Sequence, residues 1–559
     1  MTAAKRKHPR MNRLAPPFIR HARGSLHHKT IHNNFNKNSI RYFISTPKSA
    51  AKKISTSFID NEFLNHDVDS HYHDTTSTSS SASQDRYNNI NPYTRKIISE
   101  CYTPTLDQVE YAIQSAKTAF NNSSSGDLAR RGQILNRTAD LMEQKYANEL
   151  TLLECLDTGI PISQTKYHIS AAVDCLRHFA GAAACSHTRM GVAVDTPMAG
   201  GGADSFCYTR REPLGVVAGI GAWNYPLLLM VWKLAPAIAC GNSFVFKPSE
   251  CTPLTALKCA EIMKEAGLPA GVLNVLLGDK IIGQALSRDA TDIRKISFTG
   301  STAAGIDIYR EAAPTLKRVT MELGGKSPLL VLADADIDTA VAAAITGNFM
   351  NNGECCTNCT RVFVHSSIKN AFIDKLINQA SDLVVGDPLD ERTYIGPLIA
   401  PPSDVDGHLN KVAGFINRAK ADPHCRLLLG GSVKDDYCVE PTIFFCDRDD
   451  VEVASDEIFG PVMSILSFDD IDDAIFRANS SEYGLAAGII TSNVARAQHV
   501  AKRLDAGYVW VNNYNLSPVE VPFGGRKMSG FGKELGLNPI DDYTQIKTVY
   551  IEAGNVDAS

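Results

Sequence analysis

Acidic residues are absent from the first 59 positions of this 559-residue chain, whereas 13 lysines and arginines stand there. The whole chain has a net charge of −5, so the residues after this arm carry −18, the difference between −5 and +13. A body that acidic makes nucleic acid a poor partner. A basic arm rich in Ser, Asn and His is typical of a mitochondrial transit peptide. The sequence therefore predicts the mitochondrial matrix, with a plain basic tail on a cytoplasmic protein as the alternative.

Two further features of the N-terminal segment indicate processing rather than folding. Arg41-Tyr42-Phe43 resembles two-step matrix cleavage sites, in which an Arg stands two residues before an aromatic residue. Residues 66–92 are polar and low in complexity, with a run of Ser and Thr at 75–81. We therefore predict a transit peptide and disordered linker over residues 1–97, with the folded body beginning near Ile98.

The chain also lacks an unbroken apolar run of membrane length. Residues 214–232 carry no charge and are long enough to be mistaken for a span. Glycines, Asn224 and Pro226 divide this stretch, which indicates a buried strand, a turn and the start of a helix. No membrane partner is predicted.

Cysteine is too sparse for a disulfide framework, with 14 residues in 559. Cys356-Thr357-Asn358-Cys359 matches C-x-x-C, but no second cysteine pair or histidine pair follows at the spacing of zinc ligands. The sequence therefore predicts free thiols in a reducing compartment and no metal site.

Helical and strand periodicities alternate after the linker. Apolar residues recur at helical spacing from Leu106 to Phe120, after a Thr-Leu-Asp start. Short apolar runs bounded by Gly, Pro or polar residues indicate buried strands. This alternation predicts an α/β protein with mostly parallel sheets and ligands at the strand ends. The predicted strands are 215–220, 243–246, 295–298, 328–332 and 361–364, and further predicted helices are 254–265 and 336–349.

Three reactive side chains stand at the ends of predicted elements. Cys356 lies on a loop between a helix and a strand, where a thiol is exposed and reactive, although a cysteine cluster alone is more often structural. Glu322 precedes two glycines at a strand entrance, and Asn224 stands at a strand-to-helix turn. Ser301 opens a helix after a strand, where backbone N–H groups are suited to hold a pyrophosphate.

These segments together resemble the aldehyde dehydrogenase superfamily over roughly residues 98–553. The resemblance is closest to the betaine-aldehyde and trimethylaminobutyraldehyde branch. Seven motifs occur in order: Ile220-Gly221-Ala222-Trp223-Asn224-Tyr225-Pro226, Lys247-Pro248-Ser249-Glu250, Phe298-Thr299-Gly300-Ser301, Thr320-Met321-Glu322-Leu323-Gly324-Gly325-Lys326, Gly353-Glu354-Cys355-Cys356, Asp456-Glu457-Ile458-Phe459-Gly460-Pro461 and Pro522-Phe523-Gly524-Gly525.

The resemblance implies a fold with three parts. A Rossmann-like domain with five strands would bind the cofactor over residues 98–195 and 215–324. An α/β catalytic domain would cover 325–525. A β bridging element for oligomerisation would comprise 196–214 and 540–553, which alternate in strand fashion, and it implies a homodimer or homotetramer.

The resemblance also implies the roles of the reactive groups. Cys356 would attack a small-molecule aldehyde as a thiolate, and Asn224 would stabilise the oxyanion together with the Cys356 backbone N–H. Glu322 would activate water to hydrolyse the thioester. Lys233 and Glu534 match a pair that relays protons in the family, with a plain surface ion pair as the alternative.

For the cofactor, the resemblance implies NAD. A carboxylate at Glu250 would accept hydrogen bonds from the ribose hydroxyls and repel the 2′-phosphate of NADP, the alternative cofactor. Trp223 would form the cofactor wall, with a plain core position as its alternative. The remaining cofactor-binding positions implied are Ala222, Lys247, Gly278, Ser301, Glu457 and Phe459.

The substrate pocket is the least specific part of the resemblance. Tyr225, Trp232 and Phe523 match an aromatic box that binds a quaternary ammonium group through ring faces. Met350 stands where plant betaine-aldehyde enzymes have a further Trp, which weakens the match. A trimethylammonium or amino aldehyde is the predicted substrate, and a broad aliphatic specificity is the alternative.

Two residues depart from the family pattern. Glu354 replaces the usual Gln two residues before the thiol and would raise the thiol pKa unless it points away. Cys359 replaces the usual Gly, so an oxidised Cys356–Cys359 or Cys355–Cys356 pair could silence the enzyme. Two further alternatives are a catalytically silent binding protein on the same fold and an acylating enzyme that transfers the thioester to coenzyme A.

Overall fold

Strands alternate with helices along most of the chain, as the periodicities predict. The computed structural model describes residues 54–64, 86–123, 128–184, 193–194 and 205–552. The helices are α1 Leu106–Asn122, α2 Leu128–Gln144, α3 Ala147–Thr158, α4 Ile162–Ala184, α5 Pro226–Ala239, α6 Leu254–Glu265, α7 Lys280–Gln284, α8 Thr302–Ala312, α9 Ile337–Phe349, α10 Lys369–Ser381, α11 Gly407–Ala421, α12 Glu452–Ser455, α13 Ile471–Asn479, α14 Val494–Arg503 and α15 Pro539–Tyr543. The strands are β1 Ile54–Ser55, β2 Phe58–Ile59, β3 Glu62–Phe63, β4 Arg86–Ile90, β5 Ile97–Tyr102, β6 Ala193–Val194, β7 Phe206–Pro213, β8 Val216–Ile220, β9 Ser243–Lys247, β10 Leu273–Val275, β11 Ile293–Thr299, β12 Arg318–Glu322, β13 Pro328–Val331, β14 Arg361–His365, β15 Cys425–Leu429, β16 Val433–Lys434, β17 Cys438–Val439, β18 Thr442–Cys446, β19 Val462–Phe468, β20 Ala486–Ile490, β21 Tyr508–Val511, β22 Gly530–Phe531 and β23 Thr544–Ile551.

Local sequence signals place several helices within a residue of their predicted bounds. The α1 helix begins with a capping box, in which Thr105 and Gln108 each accept a hydrogen bond from the other's backbone. Asp336 caps α9 by accepting a hydrogen bond from the Thr339 backbone N–H at 2.8 Å. The predicted 254–265 helix is observed with those bounds as α6. Such caps satisfy N–H groups that the first helical turn leaves without partners.

The first large sheet has the five-stranded parallel arrangement that the family resemblance implies. Its parallel strands lie in the order β12-β11-β8-β9-β10. Strands β8 and β9 are buried along their whole length, as expected for a parallel sheet covered on both faces. The antiparallel strands β22, β2 and β3 extend the sheet at its two edges.

A second sheet, of seven strands, lies entirely within residues 325–525. Its order is β15-β18-β19-β14-β13-β20-β21, with β15 as an antiparallel edge strand. Buried apolar clusters pack against both sheets. The α/β architecture with parallel sheets is therefore confirmed.

A third sheet is formed by the segments predicted to bridge subunits. Strand β7 pairs antiparallel with β23 over eight residues each, and β6 pairs with β7. The predicted range 540–553 is wrong at its start, because Tyr543 ends helix α15 and the strand begins at Thr544. Residues 196–204 and 553 of the predicted element lie outside the described residues.

The prediction that residues 1–97 hold only transit peptide and linker is also wrong in part. Phe58 and Ile59 are each 2% exposed, and their strand β2 pairs with β10 of the first large sheet. Strand β4, within the segment assigned to the linker, pairs with β5. The missed signal is the apolar pair at 58–59, which the surrounding polar composition obscured. Residues 1–53 and 65–85 lie outside the described residues.

Within the described residues, no helix is long and apolar enough to cross a membrane. The uncharged stretch at 214–232 folds as strand β8, a turn and the start of helix α5, as predicted.

Candidate active site

The carboxyl ends of the parallel strands of the first sheet open onto one cavity of about 310 Å³. Thr299 ends β11, Glu322 ends β12, and the turn after β8 carries Asn224. All three line the cavity together with Cys356, which comes from the loop between α9 and β14. The parallel topology therefore brings together groups that are far apart in the sequence.

The loop that carries Cys356 contains residues with strained backbone angles, and side-chain amides hold it in place. Asn351 and Asn352 have φ of 57°, and Gly353 has φ of 75°. Asparagine tolerates this left-handed region because its amide can hydrogen-bond locally. The Asn352 side chain donates to the Pro397 carbonyl at 2.9 Å and accepts from the Gly396 N–H at 2.7 Å. These bonds offset the strain and fix the loop.

The paired glycines after Glu322 let the chain pass close to this loop. A Cβ atom added at Gly325 would lie 2.6 Å from the carbonyl oxygen of Cys356. A Cβ at Gly324 would collide with the carboxylate of Glu457. The Gly325 N–H donates to that carboxylate at 2.9 Å. The glycine pair is thus required by close packing at the site.

The predicted nucleophile has a second thiol beside it. The hydrogen bond with Cys355 and then burial raise the pKa of the Cys356 thiol, and the charges of Glu322 and Glu457 raise it further. The hydrogen bond with Cys356 lowers the pKa of Cys355 to about 6. The two thiols therefore titrate as a coupled pair that loses its first proton more easily than its second.

Asn224 is positioned to present its amide to the thiol loop. Its side chain is 4% exposed, and Nδ2 donates one hydrogen to the Glu354 carbonyl at 2.9 Å. Asn351 Nδ2 donates to the Asn224 carbonyl at 3.2 Å. An amide NH₂ group has a second hydrogen, and this side chain lines the cavity. The geometry is suited to an oxyanion donor.

Glu322 is a buried carboxyl group on the cavity wall. It is 3% exposed, and neither carboxylate oxygen accepts a hydrogen bond from a described residue. Burial and then the charge of Glu534 raise the pKa of Glu322 well above its usual range, while Lys233 and Lys533 oppose the shift. A carboxyl group in such a site is suited to accept a proton from water near neutral pH.

The charges of Lys233 and Glu534 both shift the pKa of this carboxyl group, and the two residues do not form a surface ion pair. Lys233 Nζ lies 2.6 Å from Glu534 Oε1, with side chains 0% and 4% exposed. Thr299 Oγ1 accepts a further hydrogen bond from Lys233 at 2.6 Å, and Ser297 Oγ donates to Glu534 at 3.2 Å. The surface alternative for this pair is therefore wrong.

We expect Lys233→Met to destabilise the fold by about 3–5 kcal/mol, because it leaves the Glu534 carboxylate buried without its counter-charge. The double variant Lys233→Met/Glu534→Gln should lose less of its unfolding free energy, since no unpaired charge stays buried. Urea unfolding followed by circular dichroism measures both. The matched control is Lys145→Met, which breaks an exposed pair with Glu265 and should change the unfolding free energy little. A Lys233→Met protein as stable as the control would contradict this expectation.

The predicted cofactor residues form two groups. Lys247 and Glu250 lie at the end of β9, with Lys247 Nζ 3.7 Å from a Glu250 carboxylate that is 40% exposed. Gly278 follows β10 with φ of 119°. These three positions lie outside the lining of the cavity, whereas Ala222, Trp223, Ser301, Glu457 and Phe459 line it.

This donor set fits a dinucleotide. Ser301 caps helix α8 by accepting a hydrogen bond from the Ala304 N–H at 3.3 Å, so the N–H groups of the first turn face the cavity end of the strand. The exposed carboxylate of Glu250 is suited to accept hydrogen bonds from ribose hydroxyls. Trp223 lines the cavity and contacts Phe459 with ring centroids 5.2 Å apart, and its place on the cofactor wall stays a prediction.

The predicted substrate residues also line the cavity. The rings of Trp232 and Phe523 are in contact, with centroids 5.1 Å apart. The Tyr225 ring packs on His168 with centroids 4.6 Å apart. All three predicted residues line the cavity, together with Tyr167 and Met350.

The comparisons with known proteins agree with this geometry. Residues 78–549 match the model of the aldehyde dehydrogenase family. The chain is 45% identical over 477 residues to betaine aldehyde dehydrogenase of Rhizobium etli strain CIAT 652, an alignment that covers 84% of this chain and 94% of that protein. The chain belongs to the aldehyde dehydrogenase family.

Solved structures of this family superpose on the described fold. The NAD⁺ complex of aldehyde dehydrogenase from Bacillus cereus gives a TM-score of 0.81 at 35% identity, covering 90% of this chain and 97% of that one. Gamma-glutamyl-gamma-aminobutyraldehyde dehydrogenase from Burkholderia cenocepacia J2315 gives 0.80 at 38% identity, with the same coverage. This protein is an NAD-dependent aldehyde dehydrogenase.

The two departures of this aldehyde dehydrogenase from the family pattern have distinct outcomes. The Glu354 carboxylate points to the Ile399 N–H, at 3.0 Å, and to His408. Cys359 is fully buried, accepts a hydrogen bond from Asn348 at 3.3 Å, and lies outside the cavity lining.

The cavity residues of this aldehyde dehydrogenase that were not predicted from the sequence include four with polar side chains. They share no motif with the thiol loop, because each belongs to a helix or a loop that the fold brings in from elsewhere. A lone His, Lys, Tyr or Asn carries no local signal of its own. These residues are Tyr167, His408, Lys411 and Asn515.

Proposed function

We propose that Cys356, Asn224 and Glu322 carry out the aldehyde oxidation of this enzyme. The observation that carries the proposal is their placement on one cavity, although each comes from a different element. A silent protein on the same fold has no need of this constellation. Retention of Glu322, whose role is to activate water, favours hydrolysis over transfer of the acyl group to coenzyme A.

The reaction follows from these groups. The Cys356 thiolate attacks the aldehyde carbon and forms a thiohemiacetal, whose oxyanion receives hydrogen bonds from the Asn224 amide and the Cys356 N–H. NAD, when bound, supplies the hydride acceptor, and a thioester is left on Cys356. Glu322 takes a proton from water, whose oxygen attacks the thioester and releases the carboxylate product and the thiolate. The buried Lys233–Glu534 pair lies below Glu322 as the next proton carrier.

The cofactor would be held by both groups of residues described above. Lys247 and Glu250 would bind the adenosine ribose, with Gly278 allowing close approach of the backbone. Ser301 and the first turn of α8 would bind the pyrophosphate. Glu457 would bind the nicotinamide ribose, and Ala222, Trp223 and Phe459 would form the wall beside the ring.

A trimethylammonium or amino aldehyde is the proposed substrate. Four aromatic side chains line the cavity: Tyr167, Tyr225, Trp232 and Phe523. Relatives named for betaine aldehyde and for an aminobutyraldehyde derivative support the same class.

We expect 4-trimethylaminobutyraldehyde to have a kcat/KM at least about tenfold above that of 5,5-dimethylhexanal, its neutral isostere, because ring faces attract a desolvated ammonium. Trp232→Leu should remove this preference, whereas Trp232→Phe, which keeps a ring face, should retain it. Initial rates of NADH formation give kcat/KM for the three proteins with each of the two aldehydes. Equal rates for the two aldehydes in the wild type would instead indicate a broad aliphatic specificity.

The basic arm is proposed to direct import into the mitochondrial matrix. The support for this proposal is the composition of the arm. Residues 1–46 lie outside the described residues. A fluorescent fusion of residues 1–60 should co-localise with a matrix marker, and the same fusion with its 13 basic residues changed to Gln should stay in the cytosol. A wild-type fusion found wholly in the cytosol would overturn the proposal.

A homodimer or homotetramer is proposed on the third sheet. Strands β7 and β23 leave large apolar side chains exposed, with Phe206 41%, Ile546 63% and Tyr550 45% exposed. Apolar side chains on a paired strand ribbon favour burial against another subunit.

A further inference from the structure

A buried carboxylate–imidazole pair lies directly behind the thiol loop. Glu354 is 1% exposed, and its Oε1 lies 3.4 Å from His408 Nε2. The Ile399 N–H donates to the same oxygen at 3.0 Å. The other oxygen, Oε2, has no hydrogen-bond partner among the described residues. A carboxylate this deeply buried depends on its partner, because an unpaired charge is costly in the interior.

Glu354 connects this pair to the reacting groups. Its backbone carbonyl accepts the hydrogen bond from Asn224 Nδ2 at 2.9 Å and another from Asn351 Nδ2 at 3.2 Å. Cys356 follows two residues later on the same loop. A displacement of Glu354 would therefore move both the thiol and the amide that faces it.

His408 connects the pair to Phe459 and Trp223 in the lining of the cavity. Its Nε2 lies 2.9 Å from the carbonyl oxygen of Phe459. Because Nε2 faces two oxygen acceptors, it carries a hydrogen and donates. The His408 ring also stands edge-on against Trp223, with centroids 5.4 Å apart. His408 therefore contacts both aromatic residues of the proposed nicotinamide wall.

Phe459 is a residue whose backbone needs such support. Its φ is 63°, in the left-handed region that bulky side chains rarely adopt. Such a conformation persists only where the surroundings hold it. The hydrogen bond from His408 to the Phe459 carbonyl is one of the contacts that hold it.

We propose that Glu354 and His408 are positioning residues that couple the thiol loop to the wall on which the nicotinamide half of NAD binds. The proposal rests on the proposed placement of that half against Trp223 and Phe459. Binding of the cofactor then stabilises the wall, and the Glu354–His408 pair transmits this stabilisation to the loop that carries Cys356. Neither residue touches the reacting atoms in this account.

The test is a double-mutant cycle read by cofactor binding without aldehyde. NADH fluorescence should show Kd raised about tenfold in His408→Ala and in Glu354→Ala, and the double alanine variant should be no weaker than the worse single variant, because both remove one interaction. The neutral pair Glu354→Gln/His408→Gln should bind within about threefold of the wild type, since two amides can still hydrogen-bond. In turnover, KM for NAD should rise more than kcat falls.

Thiol reactivity gives a second, independent reading of the coupling. In the wild type, saturating NAD should change the rate at which iodoacetamide alkylates Cys356, and this NAD effect should vanish in His408→Ala. The matched control is His424→Gln, which breaks an exposed pair with Asp447 at 2.9 Å and should change neither reading. Peptide mass spectrometry identifies the alkylated cysteine.

Two outcomes would overturn the proposal. A wild-type Kd for NADH in His408→Ala, with only the melting temperature lowered, would make the pair purely structural. Additive losses in the two single variants would mean that they do not act as a pair. Trp223→Ala separates this failure from that of the cofactor placement. If Trp223→Ala weakens NADH binding while His408→Ala does not, only the proposal for the Glu354–His408 pair fails. If neither variant weakens NADH binding, the proposed placement of the nicotinamide half fails as well.

Discussion

Cys356→Ser should lower kcat/KM for any aldehyde by at least about a thousandfold, because the loss of a covalent nucleophile removes the intermediate on which every later step depends. NAD binding and the melting temperature should stay at wild-type values, since serine nearly preserves the size of the side chain. The measurements are steady-state NADH formation, NADH fluorescence titration and thermal unfolding. Together they separate a chemical loss from a structural one.

The control for this substitution is Cys359→Ser on the same loop. Cys359 lies outside the cavity lining, and its contact with Asn348 is one that a hydroxyl can also make. This variant should keep activity within about threefold of the wild type. If Cys356→Ser were as active as Cys359→Ser, the nucleophile would have to be another residue, with Cys355 as the first candidate.

Glu322→Gln should form the thioester yet hydrolyse it slowly, because the amide cannot take a proton from water. We expect a burst of NADH close to one per active site, followed by steady turnover reduced about 10²–10⁴-fold. Rapid-quench kinetics and intact-protein mass spectrometry, which detects the acylated enzyme, measure the two phases. If neither the variant nor the wild type shows a burst, and the variant keeps the wild-type steady rate, Glu322 is not the base.

The pH dependence follows from the direction of the pKa shift at the same residue. Burial and the charge of Glu534 raise the pKa of Glu322, so its protonated form persists at pH values where an exposed glutamate is already ionised. Only the ionised form can accept a proton. The wild-type hydrolysis rate should therefore rise with pH through a range above about 4.3, the ordinary glutamate pKa, and Glu322→Gln should lose this rise.

Local patterns predicted most of the architecture because they depend on neighbours in the chain. The capping residues Thr105 and Asp336, the apolar spacing of α1 and the short buried runs are all readable within about fifteen residues. The same holds for the motifs around Glu322 and Cys356, in which glycines and a reactive side chain stand together. The N-terminal strand at 58–59 was missed because its stability comes from pairing with β10, about two hundred residues later.

The chain by itself indicated the alternation of helices and strands after the linker, the family, and the thiol, amide and carboxylate that we propose as the reacting groups. The tertiary structure decided what surrounds them. Lys233 and Glu534 are 301 residues apart, yet burial makes them an internal ion pair. The tertiary structure also decided that the Glu354 side chain faces His408 rather than the thiol, and it placed His408 in the lining of the cavity. Burial and the direction of a side chain depend on contacts between distant segments, and a sequence pattern does not contain those contacts.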